Sequence, residues 1–555
     1  MISTVSVLLI CVFCCLYSLV LRPFVFSPIR AIPGPSSFAI SKWRLAYEDL
    51  KGSRTRKIYQ LHQKYGPVVR VGPNEVSFNS LSALRAVYGP GSGFERTSFY
   101  QMFDVYGRKN LFTFHSVHDH AERKKMLAHA YSKSVLLKGK PAKLVEAKAE
   151  KFLRLIKNDP GAAEEIFSSL HYFAIDAITD FLYGKFGRTD CLGGSRQDRL
   201  LLVDIMDTAR RRLSWLTVHF PALTRWLYGL SGLLGRLVRP LLPMQRPTTY
   251  TGIRAHALKA FFAFKDAPQT SKFEQDTIIS KIWKHHSNQK DGGLDDMDVA
   301  SECADHLLAG IDTTSDSILF LLWALSRPDG RKFQERLIKE VTAMPLTALN
   351  DSGIPTVEAC DKLLFLDAVI KEALRLYAPL PSTEPRSNPR PVMIDGYLIP
   401  ARTVVGMSPY SLHRNSEVFK DPLSFNPDRW LGDTEAVSEM KKWWWAFSSG
   451  ARMCIGMQLR LLLCNAFQFV EADDSSLAMA EMTTLVTAIY RDYTTTLQKS
   501  FTGISPGITS RFEVFRDDTL DLVQVGFQHN KSFRIANLPQ EHECWINFVG
   551  HEKGR

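Results

Sequence analysis

Cys454 stands in FSSGARMCIG (447–456), between Gly450 and Gly456, with Arg452 two residues before it. The thiolate is the metal-binding form of cysteine, and a nearby cation or helix N-terminus favours it. Arg452 and the helical-looking stretch that follows both act in that direction. Gly450 permits a turn with positive φ, and Gly456 lets a flat group approach closely. An inert buried thiol is the competing reading, and it suits most of the other cysteines, including Cys464 in its apolar run. A second constellation is AGIDTT (309–314). Asp312 and Thr313 set a carboxyl beside a hydroxyl at the odd centre of a helix. Glu372 and Arg375 in KEALRLY (371–377) are three apart, so on a helix they share a face. On its own that spacing is also met in ordinary solvated ion pairs. Arg386 in TEPRSNPR (383–390), Arg429 in FNPDRW (425–430) and the basic stretch HAERKKMLAHAYS (120–132), with His120 and Lys124, add further cations.

These residues need elements to hold them. DDMDVASECADHLLAGIDTTSDSILFLLWALSRPDG (295–330) reads as one long helix, opened by acids and closed by Pro328-Asp329-Gly330. Its centre is poor helix material. Gly310 costs about 1 kcal/mol relative to alanine. Asp312, Thr313 and Thr314 compete for backbone hydrogen bonds. Weak residues between strong flanks point to a site. PVVRVGPNEVSF (67–78) reads as a hairpin around Gly72-Pro73-Asn74. From about 116 to 345 the pattern is mostly helical, and 378–448 reads as loops and short strands. The apolar stretch 213–244 is broken by Pro221 and Pro240, so it is read as a buried core segment or as a surface dipping into a bilayer.

Nine cysteines in 555 residues, without zinc spacing, exclude a disulfide scaffold and fit a reducing compartment. The net charge of +12 carries no long basic run, so a nucleic-acid partner is not expected. Residues 2–21 hold no charge and are long enough to span a bilayer. Arg22 and Arg30 follow, which places the rest of the chain on the cytoplasmic side. A cleaved signal peptide is the alternative, but no basic n-region precedes the apolar stretch. Pro33-Gly34-Pro35 reads as a stiff elbow between anchor and globule.

Taken in this order and spacing, the motifs resemble the cytochrome P-450 superfamily of haem-thiolate monooxygenases. F-x-x-G-x-R-x-C-x-G (447–456), A-G-x-D-T-T (309–314) and E-x-x-R (372–375) are each complete. The anchor and proline elbow match the microsomal type, and the style is most similar to fungal members of secondary metabolism. The resemblance implies a mainly α fold with small β-sheets, the cytochrome P-450 fold, behind an N-terminal transmembrane helix. It implies haem b (iron protoporphyrin IX), with Cys454 as axial thiolate and Phe447 packed beside the sulfur. Arg452, Arg386, His120 and Lys124 are implied to hold the haem propionates. Lys124 departs from the arginine frequent at its place, which keeps charge but loses a bidentate fork. Glu372, Arg375 and Arg429 are implied as a structural triad, Asp312 and Thr313 as the proton relay, and Gly310 as leaving a groove beside them. The implied reaction inserts one oxygen atom from O2 into a small apolar molecule. Electrons from NADPH come through a separate cytochrome P-450 reductase, docked near Arg123, Lys125, Lys441 and Lys442. The implied location is the endoplasmic reticulum membrane, single-pass, with the catalytic domain cytosolic and touching membrane lipid. A haem-binding protein without turnover, or a haem-thiolate isomerase or dehydratase needing no reductase, are the alternatives.

The expected organisation is an anchor over 1–21, a hinge over 22–37, a catalytic domain over 38–523 and a C-terminal tail over 524–555. Two segments interrupt it. Residues 460–477 separate CIGMQL from AMAEMTTLVTAIYR, which together form one helical pattern. A second segment near 524–540 separates DLV from EHECWINF. Both are read as insertions foreign to the functional protein, and Cys464 lies in the first.

Overall fold

The structure, a computed structural model, describes residues 4–131, 133–157, 163–206, 208–238, 251–287, 293–455, 477–510, 513–517, 521–522 and 542–551. It is mainly helical with small sheets. The apolar N-terminus forms α1 (Thr4–Leu16) and continues as a wider helix over Tyr17–Phe26, with Pro23 inside. Together they make a 23-residue candidate membrane span, which runs past the expected end at 21 and takes in Arg22. The proline elbow is fastened rather than free. Arg70 donates through its backbone N–H to the Pro33 carbonyl at 2.7 Å, and its guanidinium reaches Pro23 O at 2.8 Å and Ser27 Oγ at 3.0 Å.

The core is helical. α2 (Val117–Ala128) and α3 (Ile166–Tyr183) precede the long helix α4 (Asp296–Ser326). Asp295 caps α4, and Asp295 and Asp298 form a reciprocal capping box. Its second half, from Ile318 to Leu325, is buried in the main core with Phe173 of α3 and two later helices, α5 (Leu364–Leu376) and α6 (Leu477–Asp492). The glycine at the centre of α4 serves this packing. A Cβ on Gly310 would meet Ile178 Cγ1 of α3 at 2.5 Å, so the missing side chain is filled by the neighbouring helix. The groove expected there is instead a close helix crossing.

A five-stranded sheet carries the other half of the site. It contains the expected hairpin, Val68–Gly72 against Glu75–Phe78, then Val404–Gly406, Arg386–Ser387 and Glu95–Arg96 in that spatial order. A three-stranded sheet places Trp545–Gly550 between Ala163–Glu165 and Tyr493–Leu497. The described part of the expected C-terminal tail, 542–551, is therefore part of the domain: Ile546 and Phe548 are core residues. Within 213–244, the short helices Thr208–His219, Pro221–Gly229 and Gly232–Val238 leave Leu223, Trp226, Leu233, Leu234 and Leu237 exposed. The described part of that stretch is thus not a buried core segment. Cys464, most of 460–477 and all of 524–540 lie outside the described residues.

Candidate functional site

The loop that carries Cys454 is closed by its own backbone. The Cys454 N–H donates to Phe447 O at 3.0 Å, and Met453 N–H to Gly450 O at 3.2 Å. The reversal needs left-handed residues, and Ser448 (φ 61°) and Gly450 (φ 63°) supply them. A Cβ on Gly450 would also drive into Tyr88 O. Cys454 is left exposed at the end of the loop. Phe447 is half-buried and packs on Trp444, ring centroids 5.7 Å apart.

Four cations, Arg96, Arg386, Arg452 and Lys124, converge near this loop with His120 and few carboxylates among them. Arg96 and Arg386 are register partners on adjacent strands, an arrangement of like charges that destabilises a sheet unless something anionic answers it. Arg386 donates to Tyr100 OH at 2.5 Å and to Glu384 at 3.0 Å. Arg452 reaches three carbonyls before α2, Phe114 O (2.7 Å), His115 O (2.8 Å) and Ser116 O (2.9 Å). Lys124 of α2 donates to Ala451 O and Met453 O, both at 3.0 Å, so it also clamps the cysteine loop. Burial, then the neighbouring cations, pushes Arg452 down to about 9 and His120 far below the usual histidine range. Burial pushes Lys124 down to about 8, against the pull of nearby Cys454. Two nitrogens in the cluster, the donor Arg96 Nε and the ring nitrogen His120 Nδ1, are buried without a partner. A buried cation cluster with idle nitrogens beside an exposed cysteine fits a flat ligand bearing two carboxylates, and haem is such a ligand.

Behind the loop, Glu372 is fully buried and accepts from four directions. Arg375 bonds both its oxygens at 2.9 Å, Arg429 Nε reaches Oε1 at 3.0 Å, Trp430 Nε1 reaches Oε2 at 3.0 Å, and Asn426 N–H reaches Oε1 at 2.8 Å. These bonds, with the two arginine charges, overcome burial and hold the carboxyl below its usual value. The cluster connects to the cysteine loop through His413. Its Nδ1 lies 2.9 Å from Arg375 O, and its Nε2 accepts from Trp445 N–H at 2.7 Å. A carbonyl only accepts, so Nδ1 carries the proton.

On α4, Ala309 is exposed and Thr313 half-exposed within a helix otherwise largely buried. Thr313 Oγ1 donates to Ala309 O at 2.7 Å. Asp312 lies beside them, with Oδ1 buried and unpartnered, and burial pushes its carboxyl up to about 7. Thr314 turns to the other side and donates to Glu481 of α6 at 3.2 Å.

One expected docking charge is misplaced. Arg123 is buried and pairs with Glu302 of α4 at 2.5 Å, so it is no surface cation. Lys125 and Lys441 are exposed. The sequence reading passed over Arg96, Tyr100 and His413. Arg96 lies on a two-residue strand, too short for any periodic signal, and only its register with Arg386 brings it to the site.

The chain is similar to one family along most of its length. The family model for cytochrome P450 matches residues 33–462. The cytochrome P450 monooxygenase aflV of Aspergillus parasiticus is 30% identical over 466 residues, 83% of this chain and 87% of the relative. The cytochrome P450 monooxygenase stcB of Emericella nidulans is 30% identical over 448 residues, 79% and 80% respectively. The cytochrome P450 monooxygenase cypX of Dothistroma septosporum is 26% identical over 456 residues, 80% and 84%.

Proposed function

This chain belongs to the cytochrome P450 family of monooxygenases, and from that premise we propose that it binds haem b through Cys454 and oxidises a small apolar molecule in fungal secondary metabolism. The reaction consumes O2, NADPH and a proton, and yields the hydroxylated substrate, water and NADP+. A separate flavin reductase passes the electrons. The haem supplies oxygen activation when bound, and thiolate donation favours O–O cleavage. The rest falls to the chain. His120, Lys124, Arg96, Arg386 and Arg452 hold the two propionates, as charge-assisted donors do. Phe447 shields the sulfur from water. Glu372, Arg375 and Arg429 fix the scaffold behind the loop, and His413 ties that scaffold to Trp445. Asp312 and Thr313 move protons at the open face of α4. A carboxyl raised to about 7 is suited to that work, since it both takes and gives a proton near neutral pH. The span Thr4–Phe26 anchors the protein in the endoplasmic reticulum membrane with the domain on the cytosolic side. The exposed apolar residues of 223–237 rest against lipid.

The observation that carries this reading is the cation cluster with unpartnered buried nitrogens beside Cys454. Its test is the carbon monoxide difference spectrum of the detergent-extracted full chain, reduced by NADPH and added reductase. The wild type gives the thiolate-type Soret band. Cys454→Ser loses it while circular dichroism stays that of a folded helical protein. Retention of the thiolate band in Cys454→Ser overturns the ligand assignment.

A further inference from the structure

One helical turn beyond Asp312, α4 carries a second carboxyl that the proposed reaction leaves unused. Asp316 is 5% exposed and on the same side of the helix as Asp312. Across the interface His171 of α3 is 1% exposed, with Nε2 3.9 Å from Asp316 Oδ1. The histidine's tautomer follows from its other nitrogen. Nδ1 lies 2.7 Å from the Phe167 carbonyl, which only accepts, so Nδ1 carries the hydrogen. Burial keeps the ring neutral, pushing it down to about 4. Nε2 is then a bare lone pair, buried without a partner. A bare lone pair facing a carboxyl calls for a protonated carboxyl as the donor. Asp316 meets that need: burial first, and the Asp312 charge second, raise it well above the carboxylate range. Among the described residues no lysine or arginine pairs with Asp312 or Asp316. Glu481 of α6 meets the other side of α4, held by Thr314, and His542 stacks on Phe167 beside His171, ring centroids 4.8 Å apart.

The Asp316 carboxyl thus has two acceptors beside it, His171 Nε2 at 3.9 Å and, one helical turn back on the same face, Asp312 with its unpartnered Oδ1. We infer that Asp316 is a switchable hydrogen-bond donor, turning to Asp312 when that carboxyl is ionised and to His171 when it is protonated. Asp316 and His171 are positioning residues in this arrangement. They set how readily Asp312 gives up its proton, and no net transfer through them is required. The consequence for turnover rests on the monooxygenase reading. The titration itself does not.

The two partners then act in opposite directions. Removing the donor (Asp316→Leu) leaves ionised Asp312 without support, so Asp312 titrates higher, by roughly one pH unit for one lost hydrogen bond to a charged group. Removing the competing acceptor (His171→Phe) frees the donor for Asp312, which titrates lower. Asp316→Asn keeps a donor and stays near wild type. The measurement is infrared difference spectroscopy of the detergent-extracted full chain, as isolated, against pH, with Asp312→Asn as the reference that identifies the Asp312 carboxyl stretch. A second carboxyl band, protonated across neutral pH and absent only from Asp316 variants, is expected. The inference is overturned if that band is missing in wild type, or if Asp316→Asn shifts Asp312 as far as Asp316→Leu. It is equally overturned if His171→Phe shifts Asp312 upward. Wild type and Asp316→Asn, which are nearly isosteric, decide the matter even where the larger changes fail to fold. Failure of the monooxygenase reading would leave these bands unchanged and show instead in the carbon monoxide spectrum.

Discussion

Glu481 shows at the scale of one residue how burial becomes a pH dependence. Its carboxyl is fully buried, accepts from Thr314, and has one oxygen without a partner. Burial raises it from 4.5 to about 8, with the Thr314 bond opposing. The folded state therefore prefers the protonated acid. Stability from this group is fully present below about pH 4.5 and is lost as pH rises through 8. Glu481→Gln removes the titration and keeps an acceptor for Thr314. Its melting temperature is expected to gain on wild type steadily between pH 5 and pH 8, by an amount on the order of 2–4 kcal/mol in stability. A difference that stays constant over that range refutes it. Asp312 and Asp316 are raised in the same direction, so the substitution flattens the profile without abolishing it. Such residues were only partly legible. Asp312 stood out because it weakens a helix centre, and Cys454 because glycine and arginine frame it. Asp316 and His171 each pass for ordinary interior residues. Their meaning comes from two helices laid together, and neither carries a local signature.

Elements that obey a local rule were the readable ones. The capping box at Asp295 and the proline stop after Ser326 bound α4, and both are visible in composition. The cysteine loop was readable in part. Gly450 adopts the left-handed φ expected of it, yet the reason it tolerates no side chain is Tyr88 O from a helix far away in sequence. Gly450→Ala faces both penalties. Left-handed backbone for alanine and displacement of the Tyr88 carbonyl together cost about 1–3 kcal/mol. The strain falls on the loop that positions Cys454 rather than on the core. The expected outcome is a protein with near-normal circular dichroism and reduced haem per polypeptide, measured by pyridine haemochromogen. Full haem occupancy with unchanged thermal stability contradicts the argument. The two-residue strands were unreadable for the opposite reason. Glu95–Arg96 and Arg386–Ser387 hold no pattern of their own, and they exist because the sheet beside them offers backbone partners.

Across the whole molecule, the two suspect segments meet the fold at informative places. The family match ends at residue 462, inside the first segment, although the chain continues to structures that belong to the core. α6 starts at Leu477, where the segment ends, and its Leu477 and Ala480 belong to the same apolar cluster that Ile455 packs against. The two sides of the segment thus share one core. The second segment behaves alike. Asp521–Leu522 pairs with Ile504–Ser505 before it, and Trp545–Gly550 fills the centre of a sheet after it. A fold that closes on both flanks has no need of the residues between. We therefore expect a chain lacking 460–477, with Leu459 joined to Ala478, to keep α6 and to hold at least as much thiolate-ligated haem as the full chain. Removal of 524–540 is expected to leave thermal stability unchanged or higher. Sequencing of the mature transcript gives an independent check: its lacking both segments would agree with the reading. If the transcript retains them and the shortened protein loses its haem while the full chain keeps it, residues 460–477 are part of the working enzyme, and Cys464 with them.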